Sequence, residues 1–309
     1  MKPRVLVLYY TQSGQLRNIL DSITSKITAE VDLAFCEIVP ETPWPFPWKP
    51  LTFFDAMPET VFRKPAPVKA LPADVVSGDW DLVILGYQPW FLHPSQPTTA
   101  FLQSEDAKKL LAGKPVITVI GCRNMWLHAE ECVKEDLLKI GANLVGNIVL
   151  VDTNPNLVST LTVIRWAFKG IKERTRFLPV AGVQDKDVQD AARFGPIILK
   201  HLKDKDWSSL QTALLDADAL TLNTGLVLLE QRGMKNFRKW AKYIAAKGGP
   251  GDPARAGRVT QFQRLLIVAI FILSPISSLA AGIQRRLKDK KLREAVKYHK
   301  QLKYEPGML

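Results

Sequence analysis

The chain has 309 residues, 47% of them apolar, which excludes wholesale disorder and allows one large domain or a medium domain with an appendage. Its formal net charge of +12 sits at one end: residues 230–309 carry 18 Lys and Arg against 5 Asp and Glu, whereas the first 229 carry 24 against 25. A basic tail beside an apolar segment points to a membrane surface rather than to nucleic acid, and Cys36, Cys122 and Cys132, far apart and without a C-x-x-C pair, signal neither a disulfide framework nor a zinc site.

The N-terminal MKPRVLVLYY lacks a small-residue cleavage site and runs into a polar loop, so residues 4–10 read as a first strand and not as a signal peptide. Residues 16–27 follow as a helix, with Ile19, Leu20, Ile23 and Ile27 on one face, and residues 31–38 as a second strand. Residues 40–73 are proline-rich and contain PWPFPWKPLTFF, which reads as a loop without regular helix. Three further strands, at 81–86, 115–121 and 144–151, are apolar enough to be buried on both faces. Helices at 97–112, 127–140 and 187–203 complete the alternation, and residues 153–185 interrupt it with VSTLTVIRWAFKG. The pattern predicts an α/β fold, a doubly wound five-stranded parallel sheet over residues 1–205 with insertions at 40–73 and 153–185.

Beyond residue 206 the alternation stops, and residues 206–309 read as a C-terminal extension. Residues 234–246 place Phe237, Trp240, Ala241 and Ile244 on one helical face among Lys235, Arg238, Lys239 and Lys242, as in a helix lying in a membrane interface. Residues 265–283 are 19 uncharged residues, just long enough to span a bilayer. Pro275 also fits a shallow hairpin that keeps Arg264 and Arg285-Arg286 on one side, and this monotopic arrangement agrees better with basic flanks staying inside than a full span does. The expected location is the cytoplasmic face of the inner membrane, peripheral or monotopic.

Between the first strand and the first helix lies TQSGQL. Unpaired backbone N–H groups and the helix dipole meet there, the hydroxyls of Thr11 and Ser13 add donors, and Gly14 permits close approach, so the loop suits a phosphate as well as a plain tight turn. Neither G-x-x-x-x-G-K-[ST] nor G-x-G-x-x-G occurs at this loop. Two more strand ends carry flat aromatics with polar neighbours, YQPWFLHPS at 87–95 and CRNMW at 122–126. In a doubly wound sheet ligands bind outside the C-terminal strand ends, so these three loops would together hold a phosphorylated aromatic.

These loops resemble those of flavodoxin-like FMN proteins over roughly residues 3–204. GYQPWFLHPSQPTTAFL, GKPVITVIGCRNMW and FFDAMPE more specifically resemble the flavodoxin-like proteins of dialkylresorcinol biosynthesis, sometimes labelled dialkylresorcinol condensing enzymes. The resemblance implies strand order 2-1-3-4-5 and FMN as cofactor. Thr11, Ser13, Gly14, Gln15 and Leu16 would surround the phosphate, and Gln88, Pro89, Trp90, Phe91, Gly121, Cys122, Arg123, Asn124 and Trp126 the isoalloxazine. Leu16 departs from the T-x-[ST]-G-x-T pattern by removing a hydroxyl.

The resemblance further implies aromatisation, in which a 2,5-dialkyl-cyclohexane-1,3-dione loses two hydrogens to become a dialkylresorcinol; no thiolase-type cysteine arrangement for a condensation is visible. His93 is then an acid or base, Arg123 an enolate partner and Asn124 a group fixing the ring. Each also suits a plain structural role: a His bonded to loop backbone, a surface ion pair, a loop tie. His128, one turn into a helix, reads as solvated or structural. Trp44, Phe46, Trp48, Phe53 and Phe54 would line a lid over alkyl chains. An electron carrier to a membrane partner and a non-catalytic membrane adaptor on a degenerate fold are the alternatives, and dimers are common among relatives of this fold.

Overall fold

The computed structural model describes residues 2–222, 224–273 and 289–307. Five strands form one sheet: β1 (Arg4–Tyr9), β2 (Asp32–Glu37), β3 (Leu82–Tyr87), β4 (Pro115–Cys122) and β5 (Asn143–Val151). They lie in the order β2-β1-β3-β4-β5 with every neighbouring pair parallel. Two two-residue strands, Pro89–Trp90 and His93–Pro94, stand outside this sheet as a separate antiparallel hairpin. Val5, Leu6, Val7 and Leu8 of β1 are inaccessible on both faces, as a central parallel strand requires.

One face of the sheet is covered by α1 (Gln15–Thr24) and, later in the chain, by α9 (Asp185–Asp190), α10 (Phe194–Asp204) and α11 (Leu210–Asp216). The other face carries α5 (Gln96–Leu102), α6 (Glu105–Leu111) and α7 (Leu127–Ile140). Three short helices precede these, α2 (Pro50–Asp55), α3 (Met57–Val61) and α4 (Ala73–Val76), and α8 (Asn156–Lys169) follows β5.

Several boundaries differ from the sequence reading. The helix expected over 97–112 is two helices, because Ser104 leaves the first and caps the second, its Oγ accepting the Ala107 N–H at 3.1 Å. The one expected over 187–203 breaks into α9, a single 3-10 turn at Ala191–Arg193 and α10. Residues 40–73 are less irregular than their prolines suggest, since Pro50 and Pro58 occupy the first turns of α2 and α3, where no N–H is needed.

The C-terminal region is packed into the body of the protein. It comprises α12 (Thr224–Ala245), α13 (Pro253–Val268), a π-helical turn at Ala269–Leu273 and α14 (Asp289–His299). The stripe read as an interfacial membrane face is covered internally: Ala241 and Ile244 are fully buried, and Phe237 meets Phe91 at 5.9 Å and Phe262 at 6.0 Å. The apolar side of residues 234–246 is therefore an intramolecular seam, while Lys235, Arg238, Lys239 and Lys242 remain exposed. Arg255 locks α13 in place from a fully buried position, with Nε on Asp55 at 2.6 Å, Nη1 on Glu59 at 2.8 Å and Nη2 on the Asp55 carbonyl at 2.7 Å. Helix α14 docks on α7 through Tyr298, whose hydroxyl donates to Glu131 at 2.8 Å. Of the apolar segment expected at 265–283, residues 274–283 lie outside the described residues. Among the described residues no helix is long and apolar enough to cross a membrane.

Candidate functional site

The C-terminal ends of β1, β3 and β4 open onto one edge, where the strand order reverses between β1 and β3. The loop from β1 enters α1 through Gly14, which caps the ten-residue helix at φ 81°, a left-handed conformation that glycine adopts without strain. Nothing lies within 4 Å of where a Cβ would stand on Gly14. Thr11 Oγ1 is buried without a hydrogen-bond partner, and Ser13 is half-buried beside it in the chain.

Two residues expected at the phosphate have side chains committed elsewhere. Gln15 clamps the backbone of Val183, donating from Nε2 to its carbonyl at 2.9 Å and accepting its N–H at 3.0 Å, so α1 is tied to the segment after α8. Leu16 is buried in the core against Gly121, where a Cβ would come within 3.0 Å of Ile19 and 3.4 Å of Leu16. Gly121 thus serves close packing of β4 against α1.

The second loop brings aromatic rings to this edge. Trp90 meets Tyr10 at 5.9 Å, Trp44 at 5.5 Å and Trp48 at 5.2 Å, all edge to face, and Trp44 and Trp48 pack at 5.4 Å. Gln12 binds this group to the first loop: its Nε2 donates to the carbonyls of Trp44 and Pro45 at 3.3 and 3.1 Å, and Tyr10 Oη donates to its Oε1. The Gln88 side chain accepts the Gln12 N–H at 3.4 Å, with Pro89 starting the hairpin directly after it. Trp44 Nε1 is buried and unpartnered. Beyond the tryptophans, Phe53 packs on Phe91 at 4.8 Å and on Phe168 at 5.5 Å, and Phe54 on Phe262 at 5.9 Å. Phe46 stands apart, partly exposed against Trp166.

The third loop turns toward α8. Arg123 Nη1 donates to Asn156 Oδ1 at 2.7 Å and to Thr160 Oγ1 at 2.9 Å, and Asn124 Nδ2 donates to the same Asn156 oxygen at 3.0 Å. Burial pulls the Arg123 guanidinium below its ordinary pKa, against the nearby Cys122 and Asp152. Asn124 Oδ1 remains buried and unpartnered. Trp126 is a core residue, fully buried, so it contributes packing in place of the expected ring contact. Its backbone N–H, with those of Leu127 and His128, donates to the Glu230 carboxylate at 2.6, 2.9 and 3.0 Å. Burial pushes that carboxyl up to about 7, although the three N–H donors favour its charged form.

His93, expected as an acid or base, is buried with both ring nitrogens engaged: Nδ1 lies 3.0 Å from the Phe91 carbonyl and Nε2 3.1 Å from His128 Nε2. Cys132 Sγ is 3.7 Å from His128 Nε2. Burial draws His93 down to about 4 and His128 to about 3, so both imidazoles are neutral near pH 7, and it pushes the Cys132 thiol up to about 12. His93 thus has partners of its own, the Phe91 carbonyl and His128, whereas Arg123 and Asn124 share Asn156.

Sequence reading missed Asn156 and Glu230 and set Cys132 and His128 aside. Only the i, i+4 spacing of His128 and Cys132 on α7 was visible beforehand.

No family model matches the chain, and no curated protein matches it. Solved structures similar to it include a flavoprotein from Lactobacillus acidophilus in complex with FMN, 18% identical over 48% of this chain and 93% of its own, with a TM-score of 0.39. A flavodoxin from the domain Archaea is 16% identical over 65% of this chain and 99% of its own, TM-score 0.34. Oxidised flavodoxin 1 from Bacillus cereus is 17% identical over 64% and 98%, TM-score 0.34.

Proposed function

We propose that the protein is an FMN-dependent oxidoreductase whose flavin lies across the C-terminal ends of β1, β3 and β4. One observation carries this reading: the loops after β1 and β4, and the segment after β2 that packs on Trp90, each hold a buried polar atom without a protein partner, Thr11 Oγ1, Asn124 Oδ1 and Trp44 Nε1. Such atoms are costly unless a ligand or ordered water pairs with them. The donor set suits FMN. Thr11, Ser13 and the open turn at Gly14 would hold the phosphate at the start of α1, with Trp44, Trp90 and Asn124 against the ring system. When bound, FMN supplies the acceptor for a hydride or for single electrons.

The chain's own part is to bind, orient and exclude water. Trp44, Trp48 and Trp90 cover the strand-end edge, and Gln12 fastens that cover to the phosphate loop. Such an apolar enclosure favours an oily substrate over an electron carrier's exposed flavin edge. The motif resemblance narrows the substrate to a 2,5-dialkyl-cyclohexane-1,3-dione, which becomes a dialkylresorcinol by loss of two hydrogens. Arg123, already desolvated, would stabilise the enolate oxygen once freed from Asn156. Membrane association belongs to the same reading, through the exposed basic residues of α12 and the exposed Leu265, Ile267 and Val268.

The deciding experiment is the visible spectrum of the purified full-length chain in detergent. Flavin absorption that persists through desalting supports the proposal, and its absence even after FMN is added would refute it. Anaerobic mixing of the flavin-loaded protein with a dialkyl-cyclohexanedione then tests the substrate: bleaching with formation of a resorcinol is expected.

A further inference from the structure

A second cluster of chemistry-bearing side chains lies where the hairpin after β3 meets the first turns of α7. His93 comes from the hairpin after β3, whereas His128 and Cys132 stand one turn apart on α7. Their ligand atoms, Nε2, Nε2 and Sγ, all lie within 4.8 Å of one another. The two edges that meet at His128 measure 3.1 Å for nitrogen to nitrogen and 3.7 Å for nitrogen to sulfur. A tetrahedral zinc site, with Zn–N near 2.0–2.1 Å and Zn–S near 2.3 Å, has edges of about 3.3 Å and about 3.6 Å. Two of the three edges already match one face of such a tetrahedron, and the third, from His93 Nε2 to Cys132 Sγ, lies within 4.8 Å.

The surroundings support the same reading. The Phe91 carbonyl sits 3.0 Å from His93 Nδ1 and holds the proton on that nitrogen, which leaves the Nε2 lone pair facing His128. His128 is then the donor in the metal-free pair. The turn that delivers His93 has two successive non-glycine residues in the left-handed region, Phe91 at φ 48° and Leu92 at φ 67°. Such strain persists only where surrounding structure enforces it. Phe91 is enforced by its contacts with Phe53 and Phe237. Arg63, which faces Cys132 and favours its thiolate, is itself paired with Glu135 at 2.7 Å and with Asp136, so its charge is compensated. Cys132 and His93 are buried while His128 is half-buried, leaving one side of the trio for a fourth ligand.

We infer that His93, His128 and Cys132 form a three-ligand site for a zinc-class divalent metal ion, with the fourth position open to water or an exogenous ligand. On binding, Cys132 gives up its thiol proton to solvent and His128 moves its own proton from Nε2 to Nδ1. Three bonds to the metal form and one proton is released.

The test uses the untagged full-length chain in detergent, treated with chelator, desalted and titrated with Co²⁺. One equivalent should produce the thiolate-to-cobalt charge-transfer band in the ultraviolet and the visible bands of tetrahedral cobalt, and Zn²⁺ should bleach both. Spectra are read as differences against the same sample without cobalt, with flavin content assayed separately, so failure of the FMN reading leaves this test intact. Cys132→Ser should remove the charge-transfer band with the fold unchanged by circular dichroism. His93→Gln should weaken cobalt binding by more than the roughly 10–100-fold that outer-shell changes already cost. Cys36→Ser should leave the spectrum unaltered. Absence of a charge-transfer band in the parent protein, or its persistence in Cys132→Ser, overturns the assignment.

Discussion

The carboxylate of Glu230 accepts the backbone N–H of Trp126 at 2.6 Å across 104 residues of chain, so the first turn of α7 is capped by a side chain from α12. Three buried donors depend on this one group, and an uncapped buried helix start is costly. Glu230→Ala should destabilise the fold by about 3 kcal/mol, read as a lower urea midpoint. Glu230→Gln should lose less, because its one oxygen still accepts from Trp126 and Leu127, and only the His128 N–H, now facing the –NH2 donor, goes unpaired. An alanine variant as stable as the parent would remove the cap from the account.

Thr11 Oγ1 contributes nothing to the protein's own hydrogen bonding. Thr11→Val should therefore leave the melting temperature of flavin-free protein equal or higher, while FMN affinity falls by about tenfold, or about 1.4 kcal/mol. Equilibrium dialysis against FMN, run beside thermal melts, separates the two effects. Loss of stability without loss of affinity would place the hydroxyl in the fold instead.

Arg255 binds two carboxylates and two backbone carbonyls from a buried position. Arg255→Ala leaves Asp55 and Glu59 without their cation and should cost about 3–5 kcal/mol. Limited proteolysis should then cut first between α12 and α13. An unchanged cleavage pattern would contradict the role of Arg255 as the pin of this region.

Cys36 and Cys122 have thiols pushed above their ordinary range, mainly by burial and further by neighbouring carboxylates, Asp74 for the first and Glu230 for the second. A raised pKa lowers the thiolate fraction at any given pH, so both should react with iodoacetamide at pH 8 far more slowly than in urea, by roughly tenfold for each unit of elevation. Mass spectrometry of native and unfolded samples reads this directly. Rapid native labelling of either would show that its surroundings open to solvent.

Lys235, Arg238, Lys239 and Lys242 form an exposed basic face on α12. Co-sedimentation of the full chain with anionic vesicles should weaken when all four become Gln, and should fall with salt in the parent. Binding that ignores both changes would assign membrane contact to another part of the chain.

What could be read in advance follows from physical range. The strands and α7 were legible because burial on both faces, or on one helical stripe, writes itself into consecutive residues. Residues 127–140 were expected as a helix, and α7 occupies Leu127–Ile140. The break at Ser104 was hidden because the flanking apolar spacing continues through it. Side-chain direction was less accessible still. Arg123 and Asn124 were picked out as site residues, but their tie to Asn156 depends on where α8 lies. Cys132 was set aside for want of a C-x-x-C pair, yet its neighbours come from one helical turn and from a hairpin brought close only by the β3–β4 crossover. The apolar stripe of α12 was visible, whereas its occupant was not, since a helix face that meets a membrane and one that meets Phe91 and Phe262 have the same composition.

The Glu230 cap also has a consequence for synthesis. A nascent chain can pair all five strands once Val151 has left the ribosome, but the N-terminus of α7 and the aromatic seam wait for Glu230, Phe237 and Phe262. Until then the emerging protein would present bare amides and phenylalanines to its surroundings, a window in which a chaperone would find its target and in which truncated products would clump.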